Sequence, residues 1–267
     1  EKLRNILEDL GPTYVKIGQI MSMRSDMLPQ SYCDELMKLR ADVKPMTPEE
    51  VRQIVETELK QPIEKLFTNF SFTPLGSASI AQVHTAYLKN GKKVAVKVQR
   101  AHIHKTMEQD IILMRRAARL LNVINLTGDV IDFNSIIDEL WATSQQEMDF
   151  LQEARYLKEF AELNRNIEYI SCPSVDSDLV TSRVLVMDYI EGIPIDKVDK
   201  LTALGYDMNE LGINLAENYT KQILDDGFFH ADPHPGNIWI RDGRIVWLDL
   251  GMVGKLSNYD RELFRSI

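Results

Sequence analysis

The sequence has few cysteines, no long apolar run and no excess of basic residues. Its two cysteines, Cys33 and Cys172, lie far apart and outside any Cys-x-x-Cys pair. This excludes a disulfide framework and a cysteine-based zinc site. The longest apolar runs, such as 184–187, fall far short of the ~20 residues that a membrane-spanning helix needs. No secretory signal peptide is visible in the opening residues.

The charge balance argues against a nucleic-acid partner. Lysine and arginine number 31 against 40 aspartates and glutamates, which gives a formal charge of −9, and no basic tract offsets it. Hydrophobic residues make up 44% of the 267 residues, enough for the core of one large domain or two small lobes. The chain opens without Met and ends inside a predicted helix, so we expect it to be a piece of a longer protein.

Local patterns predict a helical start followed by strands and further helices. Residues 1–70 have helical patterns, and Thr47-Pro48-Glu49-Glu50 predicts a capped helix start. Asn90-Gly91 predicts a tight hairpin. The other predicted elements are strands at 72–75, 81–89 and 92–99, helices at about 103–124 and 134–163, a strand at 183–189, a helix at 211–224 and a hairpin at 238–248.

The residues that could carry chemistry begin with a lysine on a predicted strand. Lys97 lies in Val94-Ala95-Val96-Lys97-Val98, where every other residue is of a type that buries. Taken alone, such a lysine is most simply a residue on the solvent-facing side. A strand lysine can also hold nucleotide phosphates when a carboxylate partner fixes it.

Three oxygen-bearing side chains follow around the second predicted hairpin. Asp232 and Asn237 share one loop, and Asp249 stands at the end of the last strand of the hairpin. Carboxylate and amide oxygens are the hard ligands that Mg²⁺ prefers, usually with phosphates and water. Asp232 could then orient or deprotonate an attacking hydroxyl. Turn propensity explains any one of these residues, but not all three in this order downstream of a strand lysine.

This set resembles the protein-kinase-like fold, in which a strand lysine, an Asp-x4-Asn loop and an Asp-x-Gly segment occur in the same order. The segment 187–192 resembles the gatekeeper and hinge of that fold, whose backbone would hydrogen-bond adenine. The resemblance therefore implies that Met187, Asp188 and Ile190 contact the nucleotide.

Two departures from ordinary kinases narrow the family. No glycine-rich G-x-G-x-x-G loop precedes Lys97, and the corresponding segment, 74–84, contains alanines instead. The motifs KxGQ at 16–19, SIxQVH at 79–84, ExD at 147–149 and HADPHPGN at 230–237 together resemble those of the UbiB/AarF family of atypical kinases. The resemblance extends from about residue 10 to residue 254.

The family resemblance implies a role for each site residue. Asp232 would be the catalytic-loop aspartate. Lys97 would pair with Glu153 on a long helix and hold the phosphates. Asn237 and Asp249 would hold the metal.

The KxGQ segment of this family is thought to lie across the active site, which implies a regulatory role. Lys16 and Gln19 would meet Glu147 and Asp149 there. A helical extension laid over the cleft would exclude a protein substrate. It would leave nucleotide binding possible and would favour ATP hydrolysis or action on a small, lipid-like molecule.

The alanine-containing loop would contact the nucleotide through Ser77, Ala78 and Ser79. Side chains at Ala78 and Ala81 limit the backbone conformations that glycines would allow near phosphates. The sequence has Gly76 and Ser77 where the family commonly has Ala, and Ala81 where it commonly has Gly. The preference between ATP and ADP therefore stays open.

The implied fold class is α+β, a bilobal protein-kinase-like fold with an antiparallel N-lobe sheet, a truncated helical C-lobe and a helical N-terminal extension. The extension with KxGQ would span 1–70. The N-lobe with a helical insertion would span 71–190, and the start of the C-lobe, with the catalytic loop and Asp-Leu-Gly, would span 191–267.

The resemblance also implies a function. The chain would be an ATP-dependent kinase or ATPase that uses ATP or ADP with Mg²⁺ and supports isoprenoid-lipid metabolism, in particular quinone biosynthesis. Its partners would be the nucleotide, an isoprenoid or quinone-precursor lipid, and a membrane surface reached through the parent chain. It would work at the cytoplasmic face of a membrane or, in a eukaryote, in a mitochondrion or plastid.

Two alternatives remain. A small-molecule phosphotransferase of the aminoglycoside-kinase type has a similar catalytic loop, but the KxGQ motif and the helical N-terminus argue against it. A non-catalytic scaffold is the second alternative, and the presence of the full set of site residues argues against it. We also expect His230 and His234 to brace the catalytic loop by hydrogen bonds rather than to bind zinc.

Overall fold

The computed structural model describes residues 1–22, 24–25, 27–39, 44–124 and 133–266. The helices in these ranges are α1 Lys2–Leu10, α2 Pro12–Ser22, α3 Gln30–Leu36, α4 Pro48–Leu59, α5 Ile63–Leu66, α6 Ile103–Ile124, α7 Phe133–Glu147, α8 Phe150–Leu163, α9 Val198–Ala203, α10 Met208–Lys221 and α11 Asn258–Arg265. The strands are β1 Phe67–Phe70, β2 Gly76–Ser77, β3 Ala81–Leu88, β4 Lys93–Gln99, β5 Ile170–Ser171, β6 Val175–Val180, β7 Val184–Asp188, β8 Ile193–Pro194, β9 Phe228–His230, β10 Ile238–Arg241, β11 Arg244–Trp247 and β12 Val253–Lys255. This mixture of helices and antiparallel sheet agrees with the α+β class.

The chain divides into two compact units. The first contains Glu1–Ala86 and Lys97–Met148, and the second contains Tyr87–Val96 and Asp149–Ile267. The boundary crosses β3 and β4, so each of these strands contributes residues to both units. The predicted three-part division by function stays a prediction.

In the first unit, the N-terminal helices pack through apolar faces. One buried cluster joins α2, α6 and α7 through Ile20, Ile111, Ala118, Ile137 and Leu140. Apolar residues seven positions apart on α6 lie on one face of that helix, which is why the pattern of 103–124 predicts its bounds correctly. None of the described helices is long and apolar enough to cross a bilayer.

Helix α4 starts as the sequence predicts. The Thr47 hydroxyl accepts a hydrogen bond from the Glu50 amide at 3.3 Å, and the Glu50 carboxylate accepts one from the Thr47 amide at 2.7 Å. This reciprocal pair satisfies two amides that the first turn of a helix leaves without partners. The apolar face of α4 then buries Val51, Ile54 and Val55.

Three predictions about the start of the sheet are wrong. Residues 67–70, expected within the helical region, form strand β1, which pairs with β3. Residues 72–75, expected as a strand, lie outside regular structure, since Pro74 has no amide hydrogen to donate to a ladder. Gly76 and Ser77, expected in a loop, form β2, and they face Val83 and Gln82 of β3.

The sheet that contains β1 and β3 continues into the second unit, where its strand order is β4-β7-β6. A second sheet has the order β5-β11-β10-β8, and β9 pairs with β12. The predicted hairpin at 238–248 is confirmed, because β10 pairs with β11 and Arg241 lies opposite Arg244 across the turn residues Asp242 and Gly243. Both loop residues have positive φ, 50° and 77°, as the two-residue turns that match strand twist require. Strands β5, β6, β8, β9 and β12 are not predicted by the sequence pattern.

The long helix predicted at 134–163 is two helices. Helix α7 ends at Glu147, and α8 begins at Phe150. Asp149 lies between them, and its carboxylate accepts a hydrogen bond from the Gln152 amide at 2.9 Å. An aspartate that caps a new helix start competes with continuation of the previous helix. The ExD motif therefore coincides with a helix boundary.

Helix α10 begins before the predicted residue 211. The Asp207 carboxylate caps it by accepting from the Asn209 amide at 2.8 Å and the Glu210 amide at 3.3 Å. At its other end, α10 continues into a π-helical turn, Gln222–Asp226, which stops at Gly227 with φ of 62°. A positive φ at this position suits glycine and ends the helix.

Candidate active site

The loop that carries Asp232 runs from β9 to a short 3₁₀ turn, Pro235–Asn237. Asp232 is exposed and Asn237 is half-buried. The Asn237 side-chain amide donates to the Asp232 carbonyl at 3.1 Å, and its nitrogen lies 3.5 Å from an Asp232 carboxylate oxygen. Because the nitrogen of Asn237 faces Asp232, the amide oxygen is the atom of this side chain that a cation would take.

The fully buried His230 braces this loop. Its Nδ1 accepts a hydrogen bond from the Asp232 amide at 3.1 Å, so its Nε2 carries the proton and donates to the Leu248 carbonyl at 2.8 Å. The Leu248 amide in turn donates to the Asn237 carbonyl at 2.8 Å. One neutral imidazole thus ties the Asp232 loop to the end of the strand that leads into Asp249.

His234 braces the same loop locally. Its Nδ1 accepts from the Gly236 amide at 2.8 Å, and its carbonyl accepts from the Asn237 amide at 2.8 Å. The expectation that His230 and His234 make bracing hydrogen bonds is therefore confirmed.

The carboxylates of Glu153 and Asp249 converge on Gly251. Glu153 is 1% exposed. A Cβ added to Gly251 would lie 3.2 Å from Asp249 Oδ1 and 3.6 Å from Glu153 Oε2. Two carboxylates that both border one backbone position, one of them buried, favour a cation nearby. Asp249 itself has a φ of 50°, a left-handed conformation that aspartate tolerates better than most residues.

The first unit contains four of the residues that are predicted to bind the nucleotide: Lys97, Ser77, Ala78 and Ser79. Lys97 is half-buried on β4. Ser77 lies on β2, Ala78 is exposed and Ser79 is buried. Since Lys97 belongs to the first unit and Glu153 to the second, their pairing stays a prediction.

The predicted hinge residues lie at the end of β7 and directly after it: Met187, Asp188 and Ile190. The Asp188 carboxylate forms an ion pair with Lys92. The Tyr189 amide donates to the Lys93 carbonyl at 3.4 Å, and the Lys93 ammonium lies 3.8 Å above the Tyr189 ring. The segment is thus held against the β3–β4 hairpin by contacts that the sequence pattern does not reveal.

The four predicted regulatory residues are brought together only in part. Lys16 of α2 forms an ion pair with Glu147 of α7, and both side chains are mostly buried. Gln19 donates instead to the Leu39 carbonyl at 3.4 Å. Asp149 accepts the capping hydrogen bond of α8.

The glycine of the KxGQ motif has a packing role that the sequence pattern does not reveal. A Cβ on Gly18 would lie 2.3 Å from Leu39 Cδ1 and 2.9 Å from Leu7 Cδ1. Because glycine has no Cβ, the side chains of Leu39 and Leu7 pack directly on the backbone of α2 at this position. Thr13 on the same helix donates from its hydroxyl to Asp110 of α6 at 2.5 Å.

A buried polar network also supports the loop. Asn218 donates to Asn164 at 2.8 Å, and its side-chain oxygen accepts from Gln222 at 2.8 Å and from the Trp247 indole at 3.0 Å. The Gln222 side-chain oxygen accepts from the His230 amide at 3.0 Å. The sequence signal for this network is limited to two amide side chains four positions apart, a spacing that places them on one face of a helix.

Within the described ranges, no group of three or more His, Cys, Asp and Glu side chains is arranged to hold a metal ion. The pair of Asn237 and Asp249 stays a prediction of a different kind of site. It would combine one amide oxygen with one carboxylate and would need phosphate oxygens to complete the coordination shell.

Comparisons with known proteins identify the relatives of this chain. Residues 38–267 match the family model described as the ABC1 atypical kinase-like domain. The protein ACTIVITY OF BC1 COMPLEX KINASE 8, chloroplastic, from Arabidopsis thaliana is 41% identical over 263 residues, which cover 97% of this chain and 34% of the relative. The probable protein kinase UbiB of Marinobacter nauticus is 39% identical over 266 residues, which cover 98% of this chain and 49% of the relative.

The chain therefore spans half or less of the length of these curated relatives. Among solved structures, the Rv3197–erythromycin complex from Mycobacterium tuberculosis is similar, with a TM-score of 0.65 and 27% identity. The match covers 94% of this chain and 63% of that one. The expected kinase-like fold and the resemblance to UbiB proteins are confirmed. The chain belongs to the ABC1 atypical kinase-like family, which includes proteins named UbiB.

Proposed function

We propose that this chain carries the nucleotide centre of an ATP-dependent atypical kinase or ATPase that uses ATP or ADP with Mg²⁺. The observation that carries the proposal is the convergence of the Glu153 and Asp249 carboxylates on Gly251. The Asp232 loop supports it further, because His230 joins this loop to the strand that precedes Asp249. A non-catalytic scaffold has no need for this arrangement.

The residues present fit a magnesium ion. Asn237 would contribute its amide oxygen and Asp249 its carboxylate, both hard oxygen donors. When bound, the ion neutralises charge on the phosphates. Asp232 is exposed and would orient or deprotonate an attacking hydroxyl or water. Lys97 would hold phosphate oxygens as a fixed positive charge.

The proposed acceptor is water or a small, lipid-like molecule rather than a protein. The resemblance to UbiB proteins implies isoprenoid-lipid metabolism, in particular quinone biosynthesis, at a membrane surface. Identity of 39% to a protein named probable protein kinase UbiB supports this proposal. A relative named chloroplastic supports an organelle location in plants.

A second candidate is action on a soluble small molecule. The Mycobacterium tuberculosis relative was solved with erythromycin, a small organic molecule. That similarity supports small-molecule phosphotransfer as the alternative. The two candidates differ in the acceptor and share the nucleotide centre.

The test is Mg²⁺-dependent phosphate release from ATP, with and without lipid vesicles. Asp249→Asn is the test variant, and Asp242→Asn is its matched control. Both aspartates have a φ of 50°, and asparagine tolerates that conformation, but Asp242 lies in an exposed hairpin turn. We expect Asp249→Asn to lose at least about tenfold in rate, because it removes a metal-binding charge, and Asp242→Asn to retain the wild-type rate.

Each result has a clear meaning. If neither the wild type nor Asp249→Asn releases phosphate, and neither binds nucleotide, the enzyme proposal would be overturned and a scaffold favoured. Phosphate transfer to a soluble hydroxylated compound, with none to lipid, would favour the second candidate.

A further inference from the structure

Arg100 follows β4 directly and holds the loop between β2 and β3, taken to start at Ser77, the last residue of β2, and to continue with Ala78. Its Nε donates to the Ala78 carbonyl at 2.9 Å, and one terminal nitrogen donates to the Ser77 hydroxyl at 2.7 Å. The planar guanidinium presents its donors in a fixed fork. Two adjacent loop residues are therefore fixed by one rigid group.

The backbone closes the same loop. The Arg100 amide donates to the Ile80 carbonyl at 2.9 Å, and the Ala78 amide donates to the Ala81 carbonyl at 2.8 Å. The side chain and the main chain of Arg100 thus contact the loop at both ends. The loop has no run of glycines, so its shape depends on these contacts rather than on an intrinsically adaptable backbone.

A third contact of Arg100 reaches the connector before α4. The other terminal nitrogen of Arg100 donates to the Lys44 carbonyl at 3.1 Å. Two residues later, the Met46 amide donates to the Gln82 side-chain oxygen at 2.7 Å. The connector that follows the N-terminal helices is therefore attached to the same part of the sheet.

The electrostatics fit a brace. Arg100 is half-buried. Burial lowers its pKa, and the charge of Glu50 opposes this effect. Arginine remains protonated at neutral pH even so, and loss of solvent around the guanidinium makes its hydrogen bonds to the loop harder for water to replace.

We propose that Arg100 is a positioning residue that fixes Ser77 and Ala78 in the conformation that receives the nucleotide. The inference rests on the proposed function, because it assigns a purpose to the loop only if the chain binds a nucleotide. Arg100 acts through the loop rather than on the reacting atoms. With Arg100 present, the loop is ordered before the nucleotide binds. Without Arg100, the nucleotide has to order the loop as it binds, and this entropic cost lowers the affinity.

The test compares Arg100→Met and Arg100→Lys with wild type by calorimetry of ATP and ADP binding in Mg²⁺. We expect Arg100→Met to weaken binding about 5- to 20-fold, as loss of hydrogen bonds from a charged group does. Arg100→Lys should restore part of the loss, because a lysine can replace one bond but not the fork.

Arg52→Met is the matched control. Arg52 also contacts two glutamates, Glu56 and Glu64, and its guanidinium lies 5.3 Å from the centre of the Phe72 ring. Among the residues that the structure describes, these contacts do not include residues 77–78, so loss of Arg52 should leave nucleotide affinity within twofold of wild type.

A second readout separates positioning from general stability. Hydrogen exchange of the amides of residues 78–81 should be faster in Arg100→Met than in wild type without nucleotide, while exchange in α8 stays unchanged. A double-mutant cycle with Ser77→Ala should be non-additive for nucleotide affinity, because both variants break the same 2.7 Å hydrogen bond.

The outcomes distinguish the two proposals. If the wild type binds no nucleotide, the proposed function fails and this inference fails with it. If the wild type binds nucleotide and Arg100→Met binds it equally well, the positioning inference alone is overturned. It is also overturned if affinity falls only in step with faster exchange throughout the chain.

Discussion

Individual side chains in this chain have ionisation properties set by burial. His84 on β3 is fully buried, and its Nδ1 lies 2.9 Å from the Ser71 carbonyl. That contact requires a proton on Nδ1, which the neutral ring can supply. Burial lowers the pKa of His84, and the Ser71 carbonyl opposes the effect only in part. The folded chain therefore prefers a neutral His84 at pH values where an exposed histidine is charged.

This lowered pKa predicts an acid-sensitive contribution to stability. Well above pH 6.5, the ordinary pKa of histidine, His84 is neutral in both folded and unfolded chains, so it adds no pH dependence. As the pH falls below that value, the unfolded chain gains a proton that the folded chain resists, and stability is lost. We expect the free energy of unfolding to fall less steeply between pH 6.5 and 5 in His84→Gln than in wild type.

The measurement is urea unfolding across that pH range, with His104→Gln as the exposed control. The free energy of unfolding should change with pH more steeply in wild type than in His84→Gln, by at most about 1.4 kcal/mol per pH unit, the limit for one proton. Equal slopes in wild type and His84→Gln would contradict the assignment.

Cys172 gives a second prediction at this scale. Burial, with a smaller contribution from the charge of Asp188, raises the pKa of its thiol to about 12. At pH 8 only about one thiol in 10⁴ is then ionised, and the thiolate is the reactive form. We expect the native chain to show no fast-reacting thiol toward a disulfide reagent, since the other cysteine, Cys33, is buried. One thiol reacting within minutes at pH 8, before addition of denaturant, is the opposite result.

At the scale of elements, Asp149 of the ExD motif also has a structural role, because it lies between α7 and α8. Asp149 accepts the hydrogen bond that starts α8. Asp149→Ala should lower the free energy of unfolding by about 1 kcal/mol, as loss of an N-cap does, whereas Asp149→Asn should be nearly neutral because asparagine also caps.

Urea unfolding of both variants checks this prediction, with Thr47→Ala as a reference for the loss of a capping residue at α4. If Asp149→Asn were as destabilising as Asp149→Ala, the charge of Asp149 rather than its capping bond would be the important feature.

The alanine-containing loop gives a second prediction for an element. The Ala78 amide donates to the Ala81 carbonyl within a short turn. Ala78→Gly adds backbone freedom there, so we expect altered nucleotide affinity and a change in the ratio of ATP to ADP binding. Calorimetry with both nucleotides checks it, and unchanged affinities for both would reject the idea.

Elements were predictable where one local signal dominates. The capping residues of α4 and the Asp242-Gly243 turn act through neighbouring residues, so their sequences suffice. The break after Glu147 was missed because helical periodicity continues across it, and that periodicity does not mark Asp149 as the cap of a new helix. Strand β1 was missed because pairing with β3, a tertiary contact, decides its conformation.

At the scale of the whole molecule, part of the site was predictable. The order of Asp232, Asn237 and Asp249 follows from a loop and a hairpin that are close in sequence. The hydrogen bonds of Arg100 and those that join Asn218 to Asn164 and Trp247 were not predictable, because their partners lie 22 to 56 and 29 to 54 positions away. Such contacts depend on packing between elements, which spacing along the chain does not encode.

The most direct test of the central claim is calorimetric titration of this chain with ATP, once in Mg²⁺ and once in EDTA. If Asn237 and Asp249 hold a cation against the phosphates, affinity in Mg²⁺ should exceed affinity in EDTA by at least about tenfold, and Asp249→Asn should lose most of that difference. The absence of ATP binding, or equal affinity of the wild-type chain in Mg²⁺ and in EDTA, would contradict the account.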